Sequence, residues 1–369
     1  MENQGSTRVS PHQVHEKGNR HSPRLRIRAN ALHSAAMSWK VLITARTMNE
    51  VGASALQLLR NAGCDVITPP KLGPLSADEL LKGLPDMDAV LASMDKFTET
   101  VITSSAAAKL KIISRWGVGY DAIDVPAATR IGIVVAYTPG LLDETVADFA
   151  FALLLALARR VHIGHLDMTA GVWRGVWGND VFGKTLGILG CGRIGRAVAR
   201  RATGFNMRLI AYDVQPNPEA RQLGVKFVSL DELLVESDFL SLHAALTPQN
   251  RGLIGETHLR KMKRTAYLIN TARGALVDEN ALAQALQEGW IAGAALDTFV
   301  VEPLSAEHIL RKAPNVLLTP HLASFARETG ERVSMAAAQA IVDLMNGRRP
   351  KLVIDVEVFK SPALRAKLK

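Results

Sequence analysis

The stretch GILGCGRIGRAVARR, residues 187–201, sets the architecture to expect of this chain. Gly190, Gly192 and Gly195 stand in the G-x-G-x-x-G spacing. A β-compatible run, Lys184 to Leu189, leads in, and a helix-forming run, Arg193 to Ala202, leads out. In that context the glycines permit a tight turn and let backbone N–H groups approach a pyrophosphate at the positive end of a helix. The following run, MRLIAYD, ends on Asp213, 23 positions after Gly190. A carboxylate there can bond both ribose hydroxyls of an adenosine and repels a 2′-phosphate, and Val214 beside it supplies no cation. The spacing predicts NAD rather than NADP.

Working away from this turn, strands and helices alternate on both sides. Upstream come KVLIT, a helix around 49–62, CDVITPP, a short helix at SADELLKGL capped by Ser76 with Glu79 three residues on, then DAVLAS, KIISRW and GIVVAYTP. Downstream come DFLSLHAA, TAYLIN, IAGAALDTF and NVLLTPH, closed by a helix over about 324–345. Repeated strand–helix–strand units predict an α/β fold of doubly wound parallel sheets. Between the two series lies DETVADFAFALLLALARR, residues 143–160, acidic at its start and basic at its end as a helix prefers. It is too apolar for a surface helix and belongs between domains or subunits.

Charge narrows the function. The net +9 is not spread evenly. Residues 1–36 carry +4, residues 347–369 carry +5, and the body between is neutral. No basic patch is implied on the fold, so nucleic acid is not expected as a partner. The longest apolar run, Phe149 to Ala158, is too short to span a bilayer, so no membrane is expected either. Cys64 and Cys191 form no CxxC or His/Cys cluster, which fits a reduced cytoplasmic chain with no metal site. Residues 1–36 show neither a hydrophobic period nor a signal-peptide core and read as a disordered basic extension.

Three chemistry-bearing residues recur at strand ends of the second half: Arg273 after TAYLIN, Glu302 after AALDTFVV and His321 after NVLLTP. Carboxyl ends of strands face the ligand crevice in a doubly wound sheet. An arginine offers a planar fork for the carboxylate of a 2-oxo acid. A histidine can supply the proton its carbonyl needs as hydride arrives, and a neighbouring carboxylate orients that histidine.

The motifs RWGVGYDAIDVPAA, TPGLLDETVADFAFALLLALARR, GKTLGILGCGRIG, LINTARGALVDENAL, AALDTFVVEPL and TPHLAS, in this order, resemble the D-isomer-specific 2-hydroxyacid dehydrogenase family over about residues 40–350. The family includes phosphoglycerate dehydrogenases and glyoxylate/hydroxypyruvate reductases. The resemblance implies a catalytic trio of Arg273, Glu302 and His321. It implies NAD contacts from Gly190, Gly192, Arg193, Ile194, Gly195, Asp213, Thr247, Thr271 and Asp297, the last near the nicotinamide carboxamide. It implies substrate contacts from Gly117, Val118 and Gly119 together with Arg273. It implies a flavodoxin-like substrate-binding domain of residues 37–137 plus 320–350, a Rossmann NAD-binding domain of 138–319, a basic C-terminal tail of 351–369 and a homodimer with the 143–160 helix near its interface.

Two departures bear on substrate. Ala92 stands where phosphoglycerate dehydrogenases often carry an arginine, so a phosphate would need another cation, Lys96 or Arg115. TPGLLDETVAD is closer to the form seen among glyoxylate-type reductases and phosphite dehydrogenases. A phosphite-type dehydrogenase and a dinucleotide-sensing scaffold like the C-terminal-binding-protein corepressors stay open as alternatives. Formate is disfavoured, because the formate enzymes of this superfamily pair their histidine with Gln rather than Glu.

Overall fold

The computed structural model describes residues 38–369; the basic extension expected at 1–36 lies outside the described residues. Two parallel sheets organise the chain. The first holds β1 (Lys40–Ile43), β2 (Asp65–Ile67), β3 (Ala89–Ala92), β4 (Ile112–Arg115) and β5 (Val134–Ala136) in the order β2-β1-β3-β4-β5. The second holds β6 (Thr185–Leu189), β7 (Arg208–Tyr212), β8 (Lys226–Phe227), β9 (Phe239–Leu242), β10 (Tyr267–Asn270), β11 (Gly293–Leu296) and β12 (Val316–Leu318) in the order β12-β11-β10-β9-β6-β7-β8. Every pairing within these sheets is parallel. Most of the strands are buried along their whole length, as near-continuous apolar runs covered by helices on both faces require. Strand order reverses between β6 and β9 in the second sheet and between β1 and β3 in the first. Ligands bind at such switch points.

Local chemistry explains the details. Ser76 accepts from the Glu79 N–H and the Glu79 carboxylate accepts from the Ser76 N–H, the capping box expected for helix Ala77–Gly83. The helix expected over 49–62 is two, Thr47–Val51 and Ala53–Asn61, broken at Gly52. The closing helix is Arg327–Met345, three residues shorter at its start than expected, because Ser324 and Phe325 stay in the loop that lines the cleft. It packs on the first sheet through Val333, Ala337 and Ile341, with Trp116 Nε1 donating to Ser334.

Helix Asp143–Ala158 is buried, as its composition required, with Leu154 and Phe151 in the core of the second sheet. Two differences from expectation follow. A further helix, Val161–Thr169, was not legible in the sequence and buries none of its side chains. The stretch 351–369 is packed rather than a loose tail. Val353 bridges Ala136 of β5, Val358 is buried, and the Arg365 guanidinium donates to the carbonyls of Ala107, Leu110 and Ile131. No described helix is long and apolar enough to cross a membrane.

Candidate active site

The dinucleotide turn is built as its glycines require. Gly190 has φ +89°, and a Cβ there would lie 2.5 Å from the Ala244 nitrogen. A Cβ on Gly195 would lie 2.4 Å from the Gly190 carbonyl oxygen, so only glycine lets the helix press against the turn. At Gly192 a Cβ would meet nothing within 4 Å, which leaves open space beside the start of helix Arg193–Thr203. That helix has no side-chain cap, so its first N–H groups are free to hold an anion. Asp213, at the end of β7, accepts from Cys191 N–H at 2.7 Å and is thereby tied to the turn. The Thr271 hydroxyl, buried at the end of β10, makes no hydrogen bond among the described residues, as a group awaiting a ligand would. These residues fit NAD. Arg193 is exposed at the helix start, Ile194 is half-buried beside it, and Thr247 lies in the loop after β9.

Arg273 reaches the cleft because of its corner. The Asn270 amide, fully buried, donates to the Arg273 carbonyl and accepts from Ala272 N–H, turning the chain out of β10. Gly274 then lies so close to the next loop that a Cβ would fall 2.1 Å from the Phe299 carbonyl carbon. The guanidinium crosses to the first sheet, where Nε donates to Asp121 Oδ1 at 2.8 Å. A Cβ on Gly119 would lie only 1.3 Å from Arg273 Nη2. The glycine loop 117–119 therefore meets Arg273 across the cleft. Val118, between the two glycines, packs against the core of the first sheet.

His321 and Glu302 form the second half. His321 Nδ1 and Glu302 Oε2 are 2.8 Å apart, and Glu302 Oε1 accepts from Phe299 N–H at 3.0 Å. Burial pushes the Glu302 carboxyl up, but the His321 bond and charge, the Phe299 N–H and the Arg273 charge together hold it below its ordinary value. An ionised carboxylate only accepts, so the Nδ1 proton belongs to His321, and Nε2 is left for proton exchange.

His321 sits at φ +55°, a left-handed conformation that a non-glycine residue keeps only when its surroundings impose it. Asp297 imposes it. Its backbone carbonyl accepts His321 N–H at 2.9 Å, and its carboxylate accepts Leu322 N–H, Ala323 N–H and the Thr319 hydroxyl. Asp297 is fully buried behind the His321 loop, and these three donors take most of its carboxylate's acceptor capacity. Burial pushes that carboxyl up in spite of these three donors and the His321 charge.

A cavity of about 490 Å³ opens at His321 and Glu302 and runs along the carboxyl ends of both sheets. Arg115, at the end of β4, lines it, whereas Lys96 is exposed elsewhere. The pairing of Asp121 with Arg273 was not foreseen. The sequence marks Asp121 only by its place just after the glycine loop. Among the described residues no group of three or more His, Cys, Asp or Glu could hold a metal ion.

An anion cradle for a dinucleotide, together with a histidine that lines a cleft and keeps one ring nitrogen unpaired among the described residues, is the equipment of an NAD-dependent oxidoreductase acting on CH–OH groups. The family model for D-isomer specific 2-hydroxyacid dehydrogenase, NAD binding domain, matches residues 151–323. A glyoxylate reductase of Korarchaeum cryptofilum is 46% identical over 294 residues, 78% of this chain and 88% of that one. A crystal structure of a Thermus thermophilus protein superposes with a TM-score of 0.78 at 40% identity, covering 86% of this chain and all of that one. A glyoxylate reductase from Paecilomyes thermophila gives a TM-score of 0.76 at 33% identity, covering 86% and 98%. The chain belongs to the D-isomer-specific 2-hydroxyacid dehydrogenase family, and it is an NAD-dependent enzyme of that family.

Proposed function

We propose that the enzyme interconverts a small 2-oxo acid and its D-2-hydroxy acid, of the glyoxylate or hydroxypyruvate kind. The observation that carries this reading is the 2.8 Å His321–Glu302 bond, made in a cleft to which Arg273 contributes its charge. Bound NADH supplies the hydride for reduction, and NAD accepts it in the reverse direction. Arg273 binds the substrate carboxylate with the N–H groups not committed to Asp121 and Ala272, aided by the backbone of Gly117–Gly119. His321 Nε2 gives its proton to the carbonyl oxygen as C2 is reduced and takes it back in oxidation. Glu302 keeps the ring in place, and Asp297 keeps its loop in place. Gly190, Gly192, Arg193, Ile194, Gly195, Asp213, Thr247 and Thr271 hold the cofactor.

The similarity to glyoxylate reductases supports this substrate size, and Ala92 argues against a phosphoglycerate site of the arginine-bearing kind. Residues 37–137 with 320–350 form the substrate-binding domain, and 138–319 the NAD-binding domain. The working unit is a homodimer. Supporting this, the segment after helix Asp143–Ala158 leaves Leu166, Trp173, Trp177 and Phe182 exposed, the two tryptophans by 89% and 95%. Free, buried Cys64 and Cys191 suit the cytoplasm. The test is NADH consumption with glyoxylate, hydroxypyruvate and pyruvate. Turnover of at least one supports the reading, and none with any 2-oxo acid, in either direction, overturns it. A run with phosphite and NAD separates the phosphite alternative.

A further inference from the structure

Asp95 is fully buried, and its carboxylate bonds only to N–H and O–H groups. Oδ1 accepts from Leu75 N–H at 2.7 Å, and Oδ2 accepts from Ser93 N–H at 2.8 Å and from the Thr44 hydroxyl. A carboxylate is costly to bury unless donors meet its oxygens, and here both are met. Burial pushes the carboxyl up in spite of these three donors and the Arg115 charge.

The donors belong to three different loops. Thr44 follows β1, Leu75 lies in the loop after β2, and Ser93 follows β3. These strands are neighbours in the order β2-β1-β3, and the strand order reverses between β1 and β3. At such a switch point the carboxyl-end loops run apart and open a crevice. Asp95 ties the loops of both sides together. The packing around it is close: a Cβ on Gly73 would lie 2.4 Å from Asp95 Oδ1 and 3.1 Å from Ser93 Cβ. Backbone bonds add links on either side, from Gly73 N–H to the Thr44 carbonyl at 2.8 Å and from Lys96 N–H to the Leu75 carbonyl at 3.0 Å. Among the described residues Leu75 N–H has no acceptor but Asp95, and Ser93 N–H has besides it only the Thr44 hydroxyl at 3.2 Å.

The same three loops line the cavity at His321. Ala45, Arg46 and Thr47 come from the first, Pro74 from the second, and Ser93 and Met94 from the third. Asp95 is not itself among the lining residues and stands behind that wall.

We propose that Asp95 is a positioning residue for the substrate: from behind the cavity wall its carboxylate fixes Pro74, Ser93 and Met94 in place opposite His321, and so sets how tightly a 2-oxo acid binds. This rests on the 2-hydroxyacid reading of the same cleft. Contacts along that wall stand apart from the His321–Glu302 pair and the reacting carbonyl, so they act alike in the ground state and the transition state. Loosening them raises KM and leaves kcat nearly unchanged.

The test is Asp95→Asn in the full chain, assayed with NADH against glyoxylate and hydroxypyruvate. The amide keeps the shape but replaces one oxygen by NH2, so whichever way it turns, Leu75 N–H or Ser93 N–H faces another donor. KM should rise by about tenfold while kcat stays within about threefold. The Kd of NADH, from fluorescence titration, should not change, because the dinucleotide turn belongs to the second sheet. Gly73→Ala, which presses on Asp95 Oδ1 from the other side, should reproduce this result. Thr44→Val deletes one donor at similar shape and should raise KM in the same direction by about threefold. A brace needed only for folding has a different signature: Tm falls, part of the protein is inactive, and kcat per mole of chain drops at unchanged KM. That split, or a KM unmoved in all three variants, overturns the proposal and leaves the proposed function standing. If Asp95→Asn does not fold, Thr44→Val decides by the same split. A wild-type chain that turns over no 2-oxo acid overturns both.

Discussion

Gly119→Ala isolates the placement of Arg273. The glycine has no left-handed φ, so an alanine there costs nothing in backbone strain. Its single consequence is steric. The new methyl would fall 1.3 Å from Arg273 Nη2, where ordinary contact begins at 3.4 Å, so the guanidinium end must retreat by about 2 Å. Such a shift breaks the 2.8 Å bond from Nε to Asp121 and moves the fork off the substrate carboxylate. A charged hydrogen bond is worth about 1.5–3 kcal/mol, and a displacement of about 1 Å in a positioning group costs roughly a hundredfold. The expected loss in kcat/KM is therefore about 100- to 1,000-fold, or about 3–4 kcal/mol. NADH affinity, measured by fluorescence titration, should not change, because the dinucleotide turn is untouched. Gly164→Ala, in helix Val161–Thr169 with nothing within 4 Å of its Cβ, is the control and should behave as wild type. A Gly119→Ala enzyme retaining kcat/KM within about threefold of wild type would refute the argument, since Arg273 would then work from somewhere else.

Three further outcomes are expected. Glu302 is held below its ordinary value of 4.5, so its contribution to stability is present above that pH and lost as pH falls through its lower folded value. His321→Asn removes the main opposing partner, so the gap in Tm between wild type and variant should close as pH drops below 4.5, and a gap constant with pH would contradict the coupling. Asp213→Ala should raise KM for NAD by roughly tenfold through loss of the ribose bonds and lower KM for NADP, read from paired cofactor titrations; unchanged selectivity would remove Asp213 from the site. Trp173→Ala combined with Trp177→Ala should convert a dimer to monomer in light scattering at micromolar protein, and an unchanged mass would place the subunit contact elsewhere.

The local patterns carried the architecture. The run TLGIL, followed at once by GCGRIG and a helix-forming run, reads as a buried strand entering a turn that admits an anion, because period, glycine spacing and their order are properties of neighbouring residues. The Ser76–Glu79 cap is likewise written within four residues. Arg273, Glu302 and His321 were legible as a candidate set because each follows a strand in the series. Breaks that depend on a single residue were harder to read: Gly52 splits one expected helix into two, and the helix Val161–Thr169 has no apolar stripe to reveal it, since none of its side chains is buried.

Contacts between distant segments were not legible. The basic stretch at 351–369 looked like a tail by composition, yet Arg365 finds four carbonyls more than two hundred residues away. Asp297 had the sequence position of a cofactor ligand, and only the pairing of β11 with β12 shows that its carboxylate also takes the N–H groups that hold the His321 loop. Arg115 ends β4 and Asp121 follows six residues on in the next loop, and nothing local says that Asp121 would pair with Arg273 while Arg115 forms no ion pair among the described residues. Charge compensation is settled by what packs across the cleft, because electrostatic energy depends on distance in space and on burial, neither of which is encoded in the order of residues along the chain.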